Sequence, residues 1–92
     1  MQPKYLGYYK VQEEMGELNQ AMGKLAAFPG GVYWDGRDLV KPLEEELVDV
    51  IAAITYFIET NNLNFDMARF NKKLEKFKEW GLTGVSPISE EK

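Results

Sequence analysis

Glu13-Glu14-Met15-Gly16-Glu17 and, after 28 intervening residues, Glu46-Leu47-Val48-Asp49 are the stretches on which the reading of this chain turns. Glu14 and Glu17, and again Glu46 and Asp49, stand at i and i+3, so a helix places each pair on one face. Apolar residues around them recur at the same period. Val11, Met15, Leu18, Met22 and Leu25 step through the first segment, and Leu43, Leu47, Val50, Ile54 and Phe57 through the second. A third segment repeats the rhythm with Met67, Phe70, Leu74 and Phe77. These spacings predict an all-α fold. A chain of 92 residues buries only a modest core. The expectation is a short bundle of three main helices, completed by homo-oligomerisation.

The breaks support three helices. Pro29-Gly30-Gly31 and Asp35-Gly36 are turn signals after Ala27, where the first helix ends. Asp38 is placed to cap the second helix, with Pro42 in its first turn. Asn61-Asn62 ends it. Asn64 is the expected cap of the third helix and Gly81 its expected end. Residues 1–81 then form one helical domain, and 82–92 a loose charged tail.

Composition removes several chemistries. The chain has neither cysteine nor histidine, so any metal must be held by oxygen. The formal charge is −4, yet without Glu13, Glu14, Glu17, Glu46 and Asp49 ten acids face eleven bases. The acidic excess thus coincides with the two motifs. No basic stripe invites nucleic acid, and no apolar run reaches membrane-spanning length. The first residues lack the basic and apolar regions of a signal peptide. The expectation is a cytoplasmic protein with no membrane or nucleic-acid partner.

Glu14 and Glu17 each precede a stripe residue, and so do Glu46 and Asp49. Both pairs are offset by about 100° from their stripe. If the two helices pack antiparallel, equal offsets bring all four carboxylates to one side. Each pair lies roughly 12–20 Å from the connecting loop, so the heights match. Four such acids make a cage for a hard divalent cation such as Mg²⁺. The bland alternative, solvated acids on amphipathic helices, stays open at this point. Gly16 and Gly23 read as positions for close helix packing. Phe28, Tyr33 and Trp34 either stack on a planar ligand or pack at the helix junction. Tyr5, Tyr8 and Tyr9 serve a subunit contact or a pocket.

Glu-Glu-x-x-Glu at 13–17 followed by Glu-x-x-Asp at 46–49 resembles the signature of MazG-like all-α nucleoside triphosphate pyrophosphohydrolases, in their short phage and bacterial form. Asn71-Lys72-Lys73-Leu74 resembles the family's Asn-x-Lys-Phe element, with Leu74 in place of Phe. The resemblance spans roughly residues 8–80. It implies Mg²⁺-dependent hydrolysis of a (deoxy)nucleoside triphosphate to monophosphate and pyrophosphate, with Mn²⁺ able to substitute. It also implies a homodimer or homotetramer that controls a nucleotide pool. Carried over by position, Glu14, Glu17, Glu46 and Asp49 become metal ligands. Glu13 becomes an extra ligand or the group that orients the attacking water. Asn71, Lys73 and Lys76 become phosphate or sugar contacts, and Lys73 stabilises the leaving group. Trp34 is the candidate base-stacking residue, with a purine such as (d)GTP the favoured substrate. The alternative is a non-enzymatic helical oligomerisation module, or a regulator that binds nucleotide without cleaving it.

Overall fold

A computed structural model describes residues 5–83. They form three helices, α1 (Tyr8–Ala27), α2 (Val40–Thr60) and α3 (Met67–Thr83), as expected for an all-α chain. The tail expected over 82–92 lies, from residue 84 onward, outside the described residues. No helix among the described residues is long and apolar enough to cross a membrane.

Local chemistry sets the helix ends. Gly7 precedes α1 at φ +89°, and a Cβ there would lie 2.8 Å from Tyr56, so the close approach of the chain start to α2 requires glycine. At the start of α2 the Asp38 carboxylate accepts hydrogen bonds from the N–H groups of Val40 (3.0 Å) and Lys41 (3.3 Å). Those donors have no partner within the helix, so the cap falls where expected. Pro42 sits in the first turn, where a missing N–H costs nothing. The third helix differs in two respects. Asp66, rather than Asn64, accepts from the Arg69 N–H (3.0 Å). The helix also runs through Gly81 to Thr83, because one glycine costs only about 1 kcal/mol in a helix interior.

α1 and α2 form an antiparallel hairpin closed at both ends. At the open end Asn61 donates to the Leu6 carbonyl (2.7 Å) and accepts from the Leu6 N–H (2.8 Å). At the loop end Leu39 donates to Gly31 (2.9 Å), beside an antiparallel bridge between Val32 and Asp38.

The seam between the helices keeps six of the ten stripe residues the sequence predicts, Val11, Leu18, Leu25, Leu43, Val50 and Phe57, and leaves out the other four. On α1 the half-buried positions are Val11, Glu14, Leu18, Ala21 and Leu25, continued by Phe28. On α2 Leu43, Glu46 and Phe57 are half-buried, as is the neighbouring Ile58; the first three form one series with the buried Val50 and Ala53 and with Leu39 just before the helix. Both series step by three and four, as a packed helix pair requires. Met15, Met22, Leu47 and Ile54, expected in the seam, are exposed. The apolar band on each helix is wider than one seam can use. Ala21 and Ala53 occupy the contact, and Glu14 and Glu46 stand in seam positions. The larger side chains are left to form a second apolar surface alongside. Gly16 and Gly23 have no neighbour within 4 Å of an added Cβ, so the close packing expected of them is absent within the chain.

The helix α3 stands apart. No Cα of α3 lies within 8 Å of a Cα of α1 or α2. Its stripe of Met67, Phe70, Leu74 and Phe77 is exposed. The described residues therefore supply a two-helix hairpin plus a separate amphipathic helix, and among them no three-helix bundle is closed.

Candidate metal centre

Antiparallel packing pairs the height of Glu14 with that of Asp49, and Glu17 with Glu46. One carboxylate oxygen from each of Glu14, Glu17 and Glu46 lies within 4.8 Å of the others. Glu14 and Glu46 owe their place to the seam, which withdraws them from water. The Glu14 side chain keeps 15% of its accessible surface. Glu14 Oε1 and Glu46 Oε1 are both buried without a hydrogen-bond partner. Buried acceptors are nearly always satisfied, and a pair of orphaned carboxylate oxygens on two residues of one cluster is a recognisable exception.

Electrostatics reflect that exception. Burial pushes the Glu14 carboxyl above its ordinary range, and the charges of Glu17 and Asp49 push it further. Lys10, 3.8 Å from Glu14 Oε2, opposes the shift. Burial likewise raises Glu46, followed by Glu17, Asp49 and Glu14. Asp49 thus acts on both buried acids from the edge of the cluster, and it lines a cavity with Glu14 and Lys10.

The donor set fits a hard divalent cation. It consists of carboxylate oxygens alone, and two of its residues, Glu14 and Glu46, each carry a buried oxygen with no hydrogen-bond partner. Oxygens on opposite sides of a bound Mg²⁺ lie about 4 Å apart, so small side-chain rotations suffice to bring these acids onto one ion.

Other predicted residues fall elsewhere. Glu13 points along the surface of α1 and accepts from Lys10 Nζ at 2.8 Å. Asn71, Lys73 and Lys76 ride on α3, which the fold does not bring against the acids. Lys73 Nζ lies 5.7 Å from the Phe77 ring centroid. Phe28 and Tyr33 pack edge to face at 5.0 Å, at the helix junction. Trp34 projects from the loop tip with 75% of its surface exposed.

Two cations not singled out in the sequence border the acids. A cavity of about 180 Å³ runs between α1 and α2 from Glu17 and Glu46 to Lys24 and Arg37 near the loop. Its floor is Ala21 and Leu39. The available signal was the spacing of Glu17, Gln20 and Lys24, which keeps to one helix face. No protein-family model, curated protein or solved structure matches the chain.

Proposed function

We propose that the chain is a Mg²⁺-dependent nucleoside triphosphate pyrophosphohydrolase that acts on a cytoplasmic (d)NTP pool, with Mn²⁺ able to replace Mg²⁺. The supporting observation is the convergence of Glu14, Glu17 and Glu46 with two buried, unpartnered carboxylate oxygens. Charged side chains in a helix seam cost stability unless something compensates them. A bound cation is such a compensation, and sequence positions that break the folding pattern this way tend to be functional. The resemblance of the two acidic motifs to the MazG-like family supplies the reaction class.

When bound, Mg²⁺ neutralises phosphate oxygens, aligns the leaving pyrophosphate and makes water a better nucleophile. Glu14, Glu17 and Glu46 hold it, with Asp49 at the edge of the group. Glu13, one residue from the cluster and on the solvent side, orients the attacking water and takes its proton. Lys10 then competes with that water for Glu13, since the two side chains are paired. Trp34 is accessible for stacking on a base, which favours a large ring such as the guanine of (d)GTP.

The chain works as a homodimer or homotetramer. The stripe of α3 and the Met15–Met22–Ile54 surface of the hairpin are both exposed, and a second copy can cover one with the other. That arrangement is also the route by which Asn71, Lys73 and Lys76 reach an acidic cluster. The exposed apolar surfaces favour a second reading, a helical oligomerisation module without catalysis. Incubating the protein with each of the common NTPs and dNTPs and Mg²⁺ separates the two. Monophosphate and pyrophosphate from at least one nucleotide, lost in EDTA, is expected. No product from any nucleotide overturns the enzymatic reading.

A further inference from the structure

The cavity beside the acids carries charges of both signs. Glu17, Glu46, Lys24, Arg37 and Asp38 all line it, and the Asp38 carboxylate is engaged by the N–H groups of Val40 and Lys41 at the start of α2. Opposite charges on one small cavity would ordinarily fold onto each other. Here both cations are instead held near an aromatic ring. Lys24 Nζ lies 5.6 Å and Arg37 Cζ 5.2 Å from the centroid of Tyr33. Such cation–π placement fixes the Lys24 charge without neutralising it, whereas Arg37 is also paired with Asp35.

The loop is built to keep Arg37 there. Gly36 donates to the Tyr33 carbonyl (3.0 Å), and Tyr33 donates to the Arg37 carbonyl (2.9 Å), closing a tight turn. Asp35 accepts from Arg37 Nε at 2.7 Å. That is the inner nitrogen of the guanidinium, and the outer two are left for a planar or tetrahedral anion. Lys24 makes no ion pair among the described residues. It stands seven residues beyond Glu17, about 10 Å along the helix axis.

We propose that Lys24 and Arg37 form an anion wall that holds the phosphate chain of a metal-bound polyphosphate, while the acids hold its cation. This rests on the metal-site reading above and adds the residues that recognise the phosphates. The cavity of about 180 Å³ is smaller than the usual 300–1,000 Å³ of a ligand pocket. It takes phosphates and leaves the nucleoside outside. A divalent cation at the acids and an anion at the bases neutralise both groups together, so each ligand strengthens the other.

The test uses pyrophosphate as the probe, with and without Mg²⁺, in titration calorimetry of the full chain. Lys24→Gln and Arg37→Gln should each weaken binding of Mg-pyrophosphate about tenfold or more, as expected for loss of a charge-assisted contact. Lys24→Arg should retain most of the affinity. Lys41→Gln, which lies outside this cavity, should match wild type. Mn²⁺ alone, followed by its paramagnetic resonance signal, should bind the variants as it binds wild type. Unchanged pyrophosphate affinity in both Gln variants overturns the wall. So does loss of Mn²⁺ binding in those variants, which assigns the two cations a purely structural role. Pyrophosphate that fails to bind wild type with Mg²⁺ overturns it too. If no nucleotide is cleaved while pyrophosphate still binds through Lys24 and Arg37, the hydrolytic reading fails and the anion wall stands.

Discussion

Replacing Glu46 by Gln should invert the order of melting temperatures between wild type and variant, depending on whether a divalent cation is present. Gln keeps the size of the side chain and its place in the seam. It removes one of three charges that meet within 4.8 Å, and its amide can donate to Glu14 or Glu17. In EDTA the variant should therefore melt at or above wild type. Cation binding adds stability by mass action. At a hundredfold excess over the dissociation constant the gain is about 2.7 kcal/mol. For a domain of this size that corresponds to roughly 10–20 °C. A hundredfold loss of affinity cuts the gain to about 0.4 kcal/mol, or roughly 2–3 °C. The two melting curves should thus cross as Mg²⁺ is added. The assay is thermal unfolding followed by circular dichroism across a Mg²⁺ series. Glu59→Gln, at the far end of α2, serves as the charge-matched control. A Glu46→Gln variant that melts below wild type in EDTA and gains as much from Mg²⁺ would refute the argument.

Four further expectations concern separate parts of the molecule. Glu14 and Glu46 have carboxyls raised above their unfolded value of 4.5, so the stability they contribute is present below that pH and lost as pH rises through the raised values; melting in EDTA should fall from pH 5 to pH 8, Mg²⁺ should flatten the fall, and a steady rise in EDTA contradicts the assignment. Trp34→Ala should raise the substrate constant roughly five- to 150-fold, matching about 1–3 kcal/mol of stacking, with pyrophosphate still the product; unchanged kinetics on every nucleotide removes Trp34 from the site. Phe70→Asp on the α3 stripe should shift sedimentation toward 10.6 kDa, the mass of one chain, whereas an unaltered profile places the contact elsewhere. Asn61→Ala removes three hydrogen bonds, two to Leu6 and one to Phe57; at about 0.5–1.5 kcal/mol each, chemical denaturation should show a loss of roughly 1.5–4.5 kcal/mol.

The three helices were legible because apolar period and turn residues mark each segment, with the Asp38 cap agreeing on α2. The approach of Glu14, Glu17 and Glu46 was legible too, from matched heights above the loop, but Asp49, the fourth acid expected there, does not join the group within 4.8 Å. Part of the seam was not legible, because the apolar period also runs through large residues, Met15, Met22, Leu47 and Ile54, that lie outside the contact. Contact between helices instead used Ala21, Ala53 and the acids, which hydrophobicity alone ranks low. The series Glu14, Leu18, Ala21, Leu25, Phe28 was in plain view, but only a carboxylate accepted as a seam residue reveals it. Asp66 prevailed over Asn64 as a cap because it stands three residues before the N–H it must satisfy. The position of α3 was not readable, since an amphipathic stripe specifies that something covers it and not what. Lys24 and Arg37 escaped notice because a cation has no period, and only the folded loop carries both to the groove.

The hairpin is fastened at its two ends and strained at its waist. Asn61 clasps Leu6 at one end, and the Gly31–Leu39 hydrogen bond clasps the loop at the other. Between them the like charges of Glu14 and Glu46 press the helices apart from inside the contact. Such a beam bows at the middle, not at the tips, when it fluctuates. On the proposed reading, a cation seated there would act as a rivet, replacing repulsion by attachment. The spacing of the helices, and with it the width of the neighbouring groove, would then follow occupancy at the waist.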